Sequence, residues 1–97
     1  MSTLEVRRFV VISTGHVTKA TAKRLDAMSP QHWPCAGGPY GPYGWFVYAH
    51  DENAGEGDDA IPDDLFAVMS WARGEGFDYV LLDHDGDMID ALASFDW

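Results

Sequence analysis

The sequence predicts an α/β fold: one domain over residues 1–97, a small mixed β-sheet with two helices in the order β-α-β-α-β-β, and a C-terminal hairpin. Three observations predict it. Short runs rich in Val, Ile and aromatic residues at 6–13, 45–49 and 79–83 read as strands. Between them, at 19–28 and 62–74, apolar residues recur at helical spacing. Asp85-Gly86, with apolar residues on both sides, is the two-residue turn signal of a hairpin. Helical crossovers join parallel strands, so the closing hairpin is expected to add one antiparallel strand to a sheet with its helices on one face.

Each element has a local reason. Val6 to Ser13 is a strand that Ser13-Thr14-Gly15 breaks. Thr18 is a good N-cap for the first helix, with Val17 placed as its hydrophobic staple. Thr21, Leu25 and Met28 share one face, and Pro30 ends the helix. Residues 30–44 hold four prolines and four glycines and read as a loop. Trp33, Tyr40 and Tyr43 are too apolar for a disordered linker, so the loop is expected to pack on the domain, with its Gly-Pro-Tyr repeat as consecutive turns. Trp45 to Ala49 is the second strand, and 51–60 is an acidic loop. In the second helix Pro62 suits the first position, and Asp63 and Asp64 favour the positive end of the macrodipole. Leu65, Val68, Met69 and Ala72 form its buried stripe, and Gly74 or Gly76 closes it with Phe77 as the capping contact. Tyr79 to Asp83 is the third strand. In the hairpin register His84 faces Asp87, Leu82 faces Ile89 and Val80 faces Ala91.

The chain is large enough for one modest core, and 46% hydrophobic with 13% aromatic content argues against disorder. No apolar run approaches the roughly 20 residues of a membrane span. One cysteine, Cys35, excludes an internal disulfide. A cytoplasmic protein is expected. The charge is divided: Arg7, Arg8, Lys19, Lys23 and Arg24 against Glu5 and Asp26 give +3 at the front, while fourteen acidic residues against Arg73 after His50 give −13, summing to −10. Such a field repels nucleic acid and acidic membranes and attracts basic protein surfaces.

No motif carries a catalytic signature, and neither a metal nor a cofactor is expected. Asp83-His84-Asp85 after a strand has the Asp-x-Asp opening of the haloacid-dehalogenase phosphatases, but only ten residues follow Asp87 and the expected Thr is Asp87 itself. As a calcium loop, Asp83, Asp85 and Asp87 would fill positions 1, 3 and 5, but Met88 replaces the glycine and Ser94 the glutamate. His32-x-x-Cys35 lacks a second ligand pair for zinc. Cys35 with a histidine has no nucleophile signature around it, and Ser13-Thr14-Gly15-His16 is not a phosphate loop. The five basic residues at the front are outweighed for direct nucleic-acid binding.

Several stretches in order carry a family resemblance. They are Ser13-Thr14-Gly15-His16-Val17-Thr18 with Ala22 and Leu25-Asp26, then Tyr43-Gly44-Trp45-Phe46-Val47-Tyr48 and Ile61-Pro62-Asp63-Asp64-Leu65. Trp71-Ala72-Arg73, Gly76-Phe77-Asp78-Tyr79-Val80-Leu81-Leu82-Asp83 and Asp96-Trp97 complete them. Together they resemble a small domain family of unknown function carried on bacterial plasmids, integrative conjugative elements and phages. The resemblance implies genetic context and brings no catalytic residues. The turn His84-Asp85-Gly86-Asp87 is where the family varies, which argues against a shared metal site.

The leading functional expectation is a non-enzymatic inhibitor of a host nucleic-acid-targeting defence complex, CRISPR or restriction, that mimics nucleic acid. Alternate strand residues lie about 6.6 Å apart on one face, of the order of a phosphate step. The expected contact residues are Asp58, Asp59, Asp63, Asp64, Asp83, Asp85 and Asp87, facing the basic surface of a nucleic-acid-binding protein. The alternative is an accessory or regulatory protein-binding module that docks through the aromatic Pro/Gly-rich loop. The sequence does not fix the oligomeric state.

Overall fold

A computed structural model describes residues 3–96 of the chain; Trp97 of the family resemblance lies outside them. Six elements succeed one another: β1 (Phe9–Ser13), α1 (Lys19–Ala27), β2 (Gly37–Tyr40), β3 (Gly44–Tyr48), α2 (Asp63–Gly74) and β4 (Tyr79–Asp83). Single 3-10 turns stand at Thr14–His16, Pro30–His32 and Gly57–Asp59. The result is a small mixed α/β structure, a four-stranded sheet in the order β1-β4-β3-β2 with two helices.

That order corrects the expected one. The C-terminal hairpin does not form, because β4 has no edge to give it. Val80 pairs with Val10 on one side and Val47 on the other, and Leu82 with Ile12 and Trp45. The fourth strand comes instead from the Pro/Gly-rich loop, as β2, making the chain order β-α-β-β-α-β. β1 and β4 are parallel, but β3 is antiparallel to β4, so α2 joins antiparallel neighbours rather than the expected parallel ones. Asp85-Gly86 still turns the chain: the Gly86 N–H donates to the Asp83 carbonyl at 2.8 Å and the Asp85 N–H to Asp83 Oδ1 at 3.0 Å. The turn carries the chain past β1, where the Ser13 N–H donates to the Asp87 carbonyl at 2.9 Å and Asp87 bridges Ile12. A side chain at Gly86 would run into the Ile12 carbonyl.

Beyond that turn the last segment is strapped to the Thr14–His16 turn by one buried histidine. His16 Nδ1 lies 2.8 Å from the Ala93 carbonyl, and its Nε2 lies 2.8 Å from the Ile89 N–H. A carbonyl only accepts and an amide only donates, so the ring is neutral with its proton on Nδ1. The Phe95 N–H adds a bond to the Gly15 carbonyl at 2.8 Å.

The helices form where the local signals place them. Thr18 Oγ1 accepts from the Thr21 N–H at 3.2 Å and caps α1. The Trp33 indole N–H reaches back to the Leu25 and Met28 carbonyls at 3.0 and 3.1 Å, meeting acceptors that the end of α1 leaves open. α2 ends in a Schellman cap: Gly76 has φ 87°, its N–H donates to Arg73 at 3.0 Å, and the Phe77 N–H donates to Ala72 at 2.9 Å. Both helices cover one face of the sheet. Ala22, Leu25, Leu65, Val68, Met69 and Ala72 bury themselves against Ile12, Trp45, Val47, Val80 and Leu82. Strand alternation sends Phe9, Val11, Phe46, Tyr48, Tyr79 and Leu81 to the other face. β3 begins with Gly44 because a Cβ there would strike the Leu82 carbonyl.

Leu65 and Leu82 are both fully buried in the one core. Leu65→Ala and Leu82→Ala are each expected to cost about 2–5 kcal/mol in urea melts. A loss below about 0.5 kcal/mol at both would contradict this packing. Burial also pushes the Cys35 thiol from its ordinary 9.0 up to about 11. The folded chain therefore holds that proton more tightly. Its contribution to stability is complete below pH 9.0 and is lost as the pH rises from 9.0 to about 11. At pH 8 a disulfide reagent should label Cys35 at least about a hundredfold more slowly in the folded than in the urea-unfolded chain, as the thiolate fraction requires.

Candidate functional site

Two groups of candidate carboxylates occupy different elements. Asp59, Asp63 and Asp64 surround the N-terminal end of α2; Asp58 stands in the same 3-10 turn as Asp59, and its side chain lies outside the described residues. Asp83, Asp85 and Asp87 stand at and beyond the end of β4. Asp59, Asp63, Asp85 and Asp87 are exposed, whereas Asp64 and Asp83 are half-buried.

The two half-buried carboxylates hold the fold. Asp64 Oδ2 accepts from the Thr18 N–H at 2.7 Å and Oδ1 from the Thr21 hydroxyl at 2.9 Å. One side chain in the first turn of α2 thus completes the N-terminal cap of α1. Asp83 Oδ1 accepts the Asp85 N–H and fixes the turn after β4. The expected side chains therefore divide: Asp59, Asp63, Asp85 and Asp87 face solvent, and Asp64 and Asp83 face the chain. A carboxylate count does not reveal this division. The Thr18/Thr21 pair carries the only sequence signal of it, since a threonine N-cap offers partners to a neighbouring acid.

A cleft of about 320 Å³ opens where β1 and β4 end and β3 begins. The turn 41–44 forms one wall, and Thr14, Asp26, Trp45 and His84 line the rest. The Trp45 indole N–H donates to Asp26 Oδ1 at 2.9 Å and ties the start of β3 to α1. The Tyr43 ring stacks on His84, with centroids 5.5 Å apart and planes 19° apart. The Tyr43 carbonyl accepts the His84 N–H at 2.9 Å and lies 3.2 Å from His84 Nδ1. Tyr40 packs beside Tyr43 at 6.0 Å, and these two tyrosines are 44% and 50% exposed. The site thus offers aromatic faces, one carboxylate and one imidazole. The sequence reading missed the Asp26–Trp45 contact and the Tyr43–His84 stack, because nothing local relates residues 19 and 41 positions apart.

Asp83, His84 and Asp85 each offer a ligand atom, and these atoms lie within 4.8 Å of one another. The two ring nitrogens of His84 face different carboxylates: Nδ1 is 3.9 Å from Asp83 and Nε2 is 3.4 Å from Asp85. Elsewhere His50 accepts the Ala36 N–H on Nε2 at 3.0 Å, and burial, with Arg73 nearby, lowers its pKa.

Asp64→Ala would leave the Thr18 N–H without its acceptor and is expected to cost about 1–3 kcal/mol in chemical denaturation. Asp63→Ala, at an exposed first-turn position, should cost less than about 1 kcal/mol. Equal losses at the two positions would contradict the tie between the helices.

Among the described residues, no helix is long and apolar enough to cross a membrane. No curated protein and no solved structure matches the chain. Residues 9–97, from the first residue of β1 through the strapped segment, match a family of unknown function, DUF5983, C-terminal domain. The match takes in both helices, the whole sheet and the cleft, and the chain belongs to the DUF5983 C-terminal domain family.

Proposed function

We propose that the chain is a non-enzymatic protein-binding module, an accessory or regulatory protein of a mobile element. It docks through the tip of the β2–β3 hairpin and the adjoining cleft onto a partner surface that is basic. The observation that carries this reading is the state of the tyrosines. Tyr40 and Tyr43 are about half exposed on a hairpin whose partner strand is fixed in the sheet, and Tyr43 is held against His84. Exposed aromatic side chains that are already ordered lose little entropy on binding, and such residues dominate interface energetics. The charge of −10 selects the sign of the partner and speeds encounter with it.

The exposure of Asp59, Asp63, Asp85 and Asp87 favours a second reading, an inhibitor that occupies the nucleic-acid channel of a host CRISPR or restriction complex. Asp64 and Asp83 weigh against it, because both oxygens of Asp64 and Oδ1 of Asp83 are engaged within the chain.

One experiment separates the two. A partner captured from a bacterial lysate and identified by mass spectrometry is purified. It is then titrated with the wild type, with Tyr40→Ala/Tyr43→Ala, and with Asp59→Lys/Asp63→Lys, at low and high salt. Circular dichroism checks each fold. The tyrosine variant is expected to lose at least about 2 kcal/mol of binding, the scale of a hot spot. The charge-reversed variant should lose less and mainly in on-rate. The opposite ranking, with wild-type binding that collapses at high salt, overturns the docking reading in favour of mimicry.

A further inference from the structure

The cleft beside the hairpin tip has spent most of its own donors. The Trp45 indole N–H is given to Asp26 Oδ1 at 2.9 Å, the Tyr43 N–H to the Tyr40 carbonyl at 3.0 Å, and the His84 N–H to the Tyr43 carbonyl at 2.9 Å. Pro42 has no N–H to give. Asp26 is exposed, and no described residue donates to its Oδ2. Tyr43 is 50% exposed although its ring is stacked on His84. Besides the Thr14 hydroxyl and the His84 ring, the cleft therefore offers a visitor one carboxylate oxygen and aromatic surface.

The charged groups around the cleft give the sign of its occupant. Asp26 is the carboxylate in the lining, and the His84 ring is flanked by Asp83 at 3.9 Å and Asp85 at 3.4 Å. The hairpin, from residue 36 to 49, carries no charge. On α1, Lys23 stands one turn before Asp26 on the same face, exposed and without an ion pair to it. Arg24 lies about 200° around the helix from Asp26, toward Cys35, whose thiol feels its charge. Even with Arg24 counted beside Lys23, Asp26, Asp83 and Asp85 leave carboxylate in excess. The volume of about 320 Å³ is at the bottom of the range of ligand pockets, roughly 300–1,000 Å³, and suits one long side chain.

We propose that the cleft receives one arginine side chain of the docking partner, with its guanidinium against the Tyr43 ring and an N–H donated to Asp26 Oδ2. The assignment rests on the reading of the hairpin tip and cleft as the docking surface, and adds what the partner must place there. A guanidinium has five donors and no acceptor, the complement of a cleft whose own donors are spent. It is planar and weakly hydrated, so it gains from resting on an aromatic face. A lysine ammonium carries the same charge but is more strongly hydrated, and the single free oxygen of Asp26 is a poor exchange for its water. The Trp45 N–H holds that carboxylate in place before anything binds, so little order is lost on contact.

The test follows the Trp45 indole N–H resonance of the isotope-labelled chain at about 0.15 M salt, where long-range attraction is screened. The probes are N-acetyl-arginine amide, the corresponding blocked lysine, and blocked citrulline, a neutral near-isostere of arginine. Blocked arginine is expected to shift the resonance saturably, with a dissociation constant of about 1–10 mM. Lysine should bind at least about threefold and citrulline at least about fivefold more weakly. Asp26→Asn keeps a carbonyl for the indole and removes the charge, and should weaken arginine about fivefold, the scale of an exposed ion pair. Glu75→Gln removes one charge at the C-terminal end of α2, outside the cleft, and should change nothing. The spectrum itself reports whether each variant is folded, and the citrulline comparison needs no variant. No saturable shift, arginine bound no better than lysine or citrulline, or Asp26→Asn binding like the wild type overturns the assignment. So does a Glu75→Gln loss as large as that of Asp26→Asn, which would reduce the effect to net charge. If the probes fail while Tyr40→Ala/Tyr43→Ala still loses the partner, the arginine assignment falls and the docking reading stands. If arginine binds as expected while that variant keeps the partner, the docking reading falls and the arginine site stands.

Discussion

The pairing of β4 on both edges constrains everything else in this chain. A central strand needs apolar residues on both faces and backbone partners on both sides, and Tyr79-Val80-Leu81-Leu82 supplies the first condition. β1 and β3 supply the second. Once both edges are occupied, the chain that leaves β4 must turn away, which is what Asp83, Asp85 and Gly86 accomplish. It passes β1 so closely that only a glycine fits at position 86. A segment that meets the outer edge of β1 only at Asp87 then needs other partners for its remaining backbone groups. His16 gives it one donor and one acceptor from a single neutral ring.

Local order was largely legible in the sequence, and pairing was not. Thr18, Pro62, Gly76 and Phe77 announce helix ends through chemistry confined to a few neighbouring residues, and the structure uses each at or within one position of where that chemistry places it. Asp85-Gly86 announces a turn equally well, and a turn is present. The path of the chain after a turn depends on whether the preceding strand has a free edge, and that is settled by Val10, Val47 and their neighbours far away in the sequence. The Pro/Gly-rich loop misled in the opposite sense. Gly37, Gly38 and Pro39 have poor strand propensity, yet an edge strand tolerates them because only one of its sides must hydrogen-bond. β3 provides that side.

The same limit governs the carboxylates. Composition gives their number and sign, and these bear on partners through the long-range field. Which of them remain available is decided by hydrogen bonds. Asp64 sits one residue from Asp63, with the same side-chain chemistry and the same helix dipole. It turns inward because the Thr18 amide and the Thr21 hydroxyl stand within reach. Buried amide donors without acceptors are expensive, so this use takes precedence over any role at the surface. Asp83 is committed in the same way to the turn. The acidic field of the C-terminal half is therefore presented by fewer side chains than the sequence suggests.

The two exposed aromatic regions obey different physical requirements. Tyr40 and Tyr43 are amphipathic, sit at a tip and border a cleft, and their hydroxyls are compatible with water in the free chain. Phe9, Val11 and Phe46 have no polar group to hydrate, and they stand on the sheet face that the helices leave uncovered, Phe9 and Val11 on its edge strand β1. A tip with polar ends suits a contact that is made and broken. An apolar face is exposed at a continuing cost in free energy. The continuous apolar runs Phe9-Val10-Val11-Ile12 and Tyr79-Val80-Leu81-Leu82 carry this requirement in the sequence itself. Strands covered on one side alone would alternate with polar residues, and these do not, so the pattern calls for a layer on each face of the sheet. The helices account for one of those layers.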